Sequence, residues 1–181
     1  MAEAPAVRPM LPASRRLEGA TVITIGHFPD DTSARAALEC AGLDWPERAG
    51  ALHGHDPYVL WRSPKELLAL SSAPASAALK PLLRTLAAGE NASAVAIDLS
   101  EATVILELHG PQLDTWLEHL VDACAIPRVA PQATRCRLAD AAVVLLRLDP
   151  ERLWLVADRA LAAYIQDWLA FAHDGAFAVS T

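Results

Sequence analysis

The chain lacks the signatures by which common enzymes announce themselves. Its 181 residues contain no G-x-x-x-x-G-K-[ST], no G-x-G-x-x-G, no G-x-S-x-G and no H-E-x-x-H. That excludes the familiar phosphate loop, dinucleotide turn, nucleophile elbow and zinc helix. Glycine is scarce, eight in all, and nowhere clusters into a phosphate cradle. The three cysteines, Cys40, Cys124 and Cys136, are odd in number, far apart and not in a C-x-x-C pair. They read as reduced thiols of a cytoplasmic protein, not as a disulfide framework or a zinc site. No stretch reaches the roughly 18 apolar residues of a membrane helix. The first 18 residues hold three prolines and no apolar block, so a secretory signal is not expected. Basic charge is short as well: the net charge is −7 and the pI near 5.3. Without a basic patch a nucleic-acid partner is not expected, and the Arg15-Arg16 doublet reads as solvated.

Apolar residues, by contrast, make up 53% of the chain, and the mean hydropathy is +0.23. A surplus with no membrane span to absorb it suggests a surface meant for another protein. Alanine richness, which inflates both figures, is the other explanation. The length suits one large domain or two small, tightly packed halves.

The stretch from Ala141 to Val156 organises the rest. An apolar run, Ala141 to Leu148, meets an Asp149-Pro150-Glu151-Arg152 turn, and a second apolar run, Leu153 to Val156, follows. This predicts a β-hairpin, with strands covered on both faces because apolar residues barely alternate with polar ones. A helix should follow from Arg159 to His173, with Leu161, Tyr164, Ile165, Trp168 and Leu169 at helical spacing. The same unit occurs in Val59 to Leu70, where Leu60/Leu146, Pro64/Pro150 and Leu67/Leu153 match at one offset of 86 residues. Ala75 to Ala88 then stands where the closing helix stands. Upstream, Ala20–Ile23 reads ATVI, as does Ala102–Ile105, at an offset of 82. A helix through Ala36, Leu38 and Cys40, ending at Gly42, follows the first; one through Leu113, Trp116, Leu117 and Leu120 follows the second.

Small indels between matched blocks are what a duplicated module shows. The expected fold is α+β: a duplicated βαββα module, antiparallel sheets with helices packed on one face. Residues 1–18 form an extended arm, 19–89 a first half, 94–173 a second half and 174–181 a tail. Gly89 to Ser93 is a polar linker, Ala94 to Leu99 an extra strand, and Ile126 to Arg137 a proline-bearing loop.

Chemistry is thinly supplied. His53, His55 and Asp56 form the one compact group of possible metal ligands, but Gly54 and Pro57 place it in a loop. Asp98 and Glu101 form a lone acidic pair, the kind that is usually solvated. Cys124 reads as a buried thiol. His27, His109, His119 and His173 are scattered. Trp116, Trp154 and Trp168 fall at apolar positions, as core or interface anchors; Trp45 and Trp61 lie in the less regular first half. No catalytic, cofactor-binding or metal residue is assigned.

The second half carries a resemblance. Ile97-Asp98-Leu99-Ser100, the strand Thr103 to His109 and Gly110-Pro111 before a helix resemble the gamma subunit of heterotetrameric sarcosine oxidase. Cys124 before Ile126-Pro127, Arg137-Leu138-Ala139 before an apolar strand, and Trp168-Leu169 in the closing helix also match, as does the arm at Arg8-Pro9-Met10-Leu11. Cys136 and Gln132 depart from the family's Thr and Gly. The resemblance covers Ala94 to Phe171 well and Ala20 to Ala88 loosely. It implies a fold similar to part of the folate-binding aminomethyltransferase and YgfZ-like group, although the latter's K-G-C-Y-x-G-Q-E signature is absent. It also implies a non-catalytic subunit of a cytoplasmic complex whose alpha, beta and delta subunits carry FAD, FMN, NAD, tetrahydrofolate and zinc. Such a complex oxidises sarcosine or a related N-methyl amine, passes the methyl carbon to tetrahydrofolate and forms hydrogen peroxide. Interface residues would be Arg8, Pro9, Leu11, Trp116, Trp154 and Trp168. The alternative is a stand-alone folate-binding domain of aminomethyltransferase type, with Asp98 or Glu101 and Trp116 as its best residues.

Overall fold

The computed structural model describes residues 11–28, 32–72, 77, 79–88 and 93–177. The first half supplies β1 (Ala13–Arg16), β2 (Thr21–Gly26), α1 (Thr32–Cys40), β3 (Leu52–Gly54), β4 (Tyr58–Ser63), β5 (Glu66–Ser71) and α2 (Lys80–Ala88). The second supplies β6 (Val95–Asp98), β7 (Thr103–His109), α3 (Leu113–Glu118), β8 (Gln132–Leu138), β9 (Ala141–Asp149), β10 (Arg152–Asp158) and α4 (Ala162–Phe177). The fold is α+β, and the order of elements is identical in the two halves. Each half has two strands more than the expected βαββα: β3 and β8 were read as loops, β1 as part of an extended arm, and β6 as an extra strand outside the module.

Two five-stranded sheets result, ordered β1-β7-β10-β9-β8 and β6-β2-β5-β4-β3. All recorded pairings are antiparallel. The first strand of each half therefore pairs in the sheet of the other half: β1 lies along β7, and β6 along β2. The crossings match too. Leu17 donates its N–H to the Ile105 carbonyl at 2.9 Å, and Leu99 to that of Val22 at 2.8 Å. The arm expected to be extended is, over Ala13–Arg16, an edge strand of the second half's sheet.

The duplication holds in register, with one correction. Ile23 pairs with Ala69, whereas Leu155, the hairpin counterpart of Ala69, pairs with Leu106. Ile23 thus corresponds to Leu106 and not to Ile105. The ATVI match is slipped by one residue, which in a strand puts matched side chains on opposite faces. Ile23 faces the helices, while Ile105 faces the other sheet.

Period-2 alternation in strands buried on both sides builds three apolar layers. Leu106, Leu108, Leu145 and Leu155 pack beneath Trp116 and Leu117 of α3 and Ile165 and Leu169 of α4. Ile23, Ile25, Leu67 and Ala69 pack beneath α1 and α2. Between the sheets lie Val22, Leu60, Leu68, Leu70, Ile105, Leu146, Trp154 and Val156. Each sheet thus has helices on one face and the other sheet on the opposite face. At one edge β3 and β8 meet, with an Ala51–Gln132 bridge and the Ala133 N–H on the Gly50 carbonyl at 3.0 Å.

Two elements exceed their expected bounds. Arg159–Leu161 is a 3₁₀ turn, capped by Asp158 accepting from the Ala160 N–H, and α4 runs on to Phe177, into the expected tail. The expected loop Ile126 to Arg137 ends in β8. Gly110 has φ of +120°, and a Cβ there would lie 2.9 Å from Pro12 Cα. The Gly-Pro pair after β7 thus lets the arm pass against the backbone.

Candidate functional site

Near the meeting of β3 and β8, a cleft enters between the sheets. Its two adjoining lobes have volumes of about 340 Å³ and 390 Å³. Arg62, Arg135 and Val144 line both lobes. Leu60, Leu68, Val22 and Val156, from the layer between the sheets, supply apolar wall. The second lobe also reaches Thr103 and Asp158.

The sequence sets the character of this cleft with one arginine near the end of an apolar strand, Arg62 on β4, and another in the middle of the polar edge strand β8, Arg135. β4 runs Tyr58-Val59-Leu60-Trp61 before Arg62, so Arg62 shares the face of Tyr58 and Leu60. Its Nη1 donates to Glu66 Oε1 at 2.8 Å, and the same oxygen accepts the Thr24 hydroxyl at 2.7 Å. The Arg62 Nε is buried with no hydrogen-bond acceptor. Arg135 on β8 is exposed and has no hydrogen bond or ion pair among the described residues. Glu66 pairs with Arg62, Arg135 makes no ion pair among the described residues, and Asp158 also lines the second lobe. No histidine, cysteine or lysine lines either lobe. This set of groups can bind an anion; it pairs no nucleophile with a base.

Elsewhere between the sheets sits a second polar group. Glu107 is 6% exposed, accepts from the Trp154 indole N–H at 3.0 Å and from Arg15 Nε at 2.8 Å. Burial by itself would raise its pKa, but those two hydrogen bonds and the charges of Arg15 and Arg152 hold the carboxyl below its usual value. Tyr58 meets Trp154 edge-on at 5.2 Å, and burial raises its phenol pKa.

The outer face of α4 is apolar and open. Tyr164, Trp168 and Phe171 follow at helical spacing, with ring centroids 6.4 Å apart for the first pair and 5.7 Å for the second. Phe171 is 71% exposed. With Asp167 these three line a shallow cavity of about 320 Å³. On β6, Val95 and Ile97 are also exposed.

The expected interface residues divide. Trp168 lies on this α4 face. Trp116 and Trp154 are 2% and 3% exposed and anchor the chain's own interior, Trp116 donating to the Leu169 carbonyl at 3.0 Å. That is the core half of the expectation for both; within this chain neither presents its ring to a partner. Leu11 is exposed beside His173 and Phe177, and Arg8 and Pro9 lie outside the described residues. Asp98 accepts from Ser100 in a turn, and Glu101 pairs with Arg159 at 3.3 Å. Trp116 is under α4, so the three residues considered for a folate site do not converge.

Among possible ligands, Asp56 accepts from both the backbone N–H and hydroxyl of Ser72. Among the described residues no three His, Cys, Asp or Glu side chains gather as a metal site. His27 is buried against Trp45, His173 packs on Trp116, and His109 and His119 are exposed. Cys124, expected to be buried, is exposed on the short 3₁₀ turn that precedes Pro127. Burial pushes the Cys136 thiol up to about 11, which keeps it protonated and unreactive. The arginines of the cleft escaped the sequence reading because they lie in different halves. The available signal, for Arg62 alone, was an arginine near the end of an otherwise apolar strand.

No protein-family model matches the chain, and no curated protein sequence does. Solved structures do. A chain of heterotetrameric sarcosine oxidase from Corynebacterium sp. U-96, in complex with pyrrole 2-carboxylate, superposes with a TM-score of 0.80. The match covers 94% of this chain and 87% of that one, at 23% identity. The fold is that of a sarcosine oxidase chain. The glycine cleavage system aminomethyltransferase T from Bartonella henselae follows at a TM-score of 0.58 and 12% identity. There 89% of this chain matches 46% of the enzyme, so the chain spans about half of that enzyme's length. No helix among the described residues is long and apolar enough to cross a membrane.

Proposed function

We propose that this chain is a non-catalytic structural subunit of a cytoplasmic heterotetrameric sarcosine oxidase, the gamma subunit by resemblance. The observation that carries the reading is the superposition at a TM-score of 0.80 over nearly the whole of both chains. The fold alone would serve other roles, so the surface matters as well. The Tyr164–Trp168–Phe171 face is the kind of aromatic patch that anchors a protein partner. The best acidic candidates, Asp98 and Glu101, are engaged in a turn and an ion pair.

In this reading the alpha and beta subunits, and the delta subunit, are the partners, and FAD, FMN, NAD, tetrahydrofolate and zinc reside on them. The complex takes sarcosine or a related N-methyl amine through oxidative demethylation, with the methyl carbon passed to tetrahydrofolate and hydrogen peroxide formed. This chain contributes surface and rigidity, not reacting groups.

The test is affinity purification of the tagged chain from its host, with mass spectrometry and a visible spectrum of the eluate. Two large co-purifying subunits and flavin absorption bands are expected. A colourless, monodisperse single chain would overturn the proposal.

A further inference from the structure

We infer that the cleft between the sheets is a binding site for a small monoanion with an apolar body, such as a carboxylic acid of drug-like size. It does not depend on the subunit reading. Three observations at one place carry it. Two lobes of about 340 Å³ and 390 Å³ adjoin, and each falls in the range of sites that hold small organic ligands. The walls are aliphatic, so they favour a ligand with an apolar body.

Charge then selects the head group. Arg62 and Arg135 line both lobes. Glu66 pairs with the first; the second makes no ion pair among the described residues. A carboxylate at the junction of the lobes would meet the exposed Arg135 fork, the planar geometry that guanidinium groups favour, beside the Arg62 guanidinium. A dianion would be disfavoured by Asp158 and Glu66, both at or beside the cleft.

The cleft joins both halves of the chain. Arg62 belongs to β4 in one sheet and Arg135 to β8 in the other, so an occupant would bridge the two sheets where their edges meet.

Benzoate and its neutral counterpart benzamide distinguish a charge-selective site from greasy adsorption. Both would be titrated into the ¹⁵N-labelled full chain, following amide shifts. Benzoate is expected to shift the amides of Gln132 to Arg135, Trp61, Arg62 and Val144, and to bind about tenfold or more tightly than benzamide, as a charge-assisted hydrogen bond implies. Arg135 is exposed, so Arg135→Gln should leave the spectrum of the free protein and its melting temperature unchanged while erasing the preference for benzoate. Equal shifts from the two probes would overturn the proposal. So would shifts confined to the Tyr164–Phe171 face, or full benzoate binding by the folded Arg135→Gln chain.

Discussion

At the scale of single residues, one buried arginine does more than any other polar group to fix the second half. Arg147 is 1% exposed on β9. It donates through Nε to the Pro127 carbonyl at 2.8 Å, through Nη1 to the Pro150 carbonyl at 3.0 Å, and through Nη2 to Asp114 on α3. It thus ties the loop before β8, the β9–β10 turn and a helix to one strand. Arg147→Ala would leave two carbonyls without a donor and is expected to destabilise the fold by roughly 3–5 kcal/mol in urea unfolding. Asp114→Asn should cost less, about 1 kcal/mol, because Asp114 is part-exposed and Arg128 already shares it at 3.2 Å. Glu107 supplies a pH dependence. Its folded carboxyl is held below the ordinary 4.5, so its contribution is complete above that value. It is lost as pH falls from there through the depressed folded value. Acid unfolding followed by circular dichroism should show this limb, and Glu107→Gln should flatten it.

Elements differ in how plainly the sequence displays them. The β4–β5 and β9–β10 hairpins were readable because their strands lie inside both sheets and run nearly unbroken in apolar residues. Of the edge strands only β6 was, as the extra strand Ala94 to Leu99; the other three were not. β1 is exposed at all four positions, β3 has three residues, and β8 interleaves Gln132, Arg135 and Arg137 with its few buried side chains. Polar edges of this kind keep sheets from pairing with other chains, and the same polarity hides them in an apolar pattern. The cleft was hidden for another reason: its two arginines are brought together only when the sheets meet. The helix pattern of α4 was legible, but not that its Tyr164, Trp168 and Phe171 stripe would lie outside while Ile165, Leu169 and Ala172 face the sheet. If that stripe is a docking face, Phe171→Asp should leave the melting temperature nearly unchanged, within about 0.5 kcal/mol. It should also abolish co-purification with large partner subunits. Retained partners with that substitution would assign the contact to another surface.

At the scale of the whole molecule, the two halves are equal in order yet cannot be separated as two domains. Each sends its first strand into the sheet of the other, and the crossing backbone is pinned by the Leu17–Ile105 and Leu99–Val22 hydrogen bonds. A half cut free would lose an edge strand. It would also expose the apolar face that now meets the other sheet, including Val22, Leu60, Leu68 and Leu70 on one side and Ile105, Leu146, Trp154 and Val156 on the other. Faces of that size are not tolerated in water. Cutting the chain between Glu90 and Asn91 should therefore yield two fragments, each failing to show a cooperative melt alone. Mixed, they should recover the native circular dichroism and elute together in a one-to-one ratio, because every strand pairing, both exchanged strands included, is made with the link cut. A fragment that melts cooperatively by itself as a monomer would mean that a half can close its own sheet, and that the exchange is dispensable to the fold.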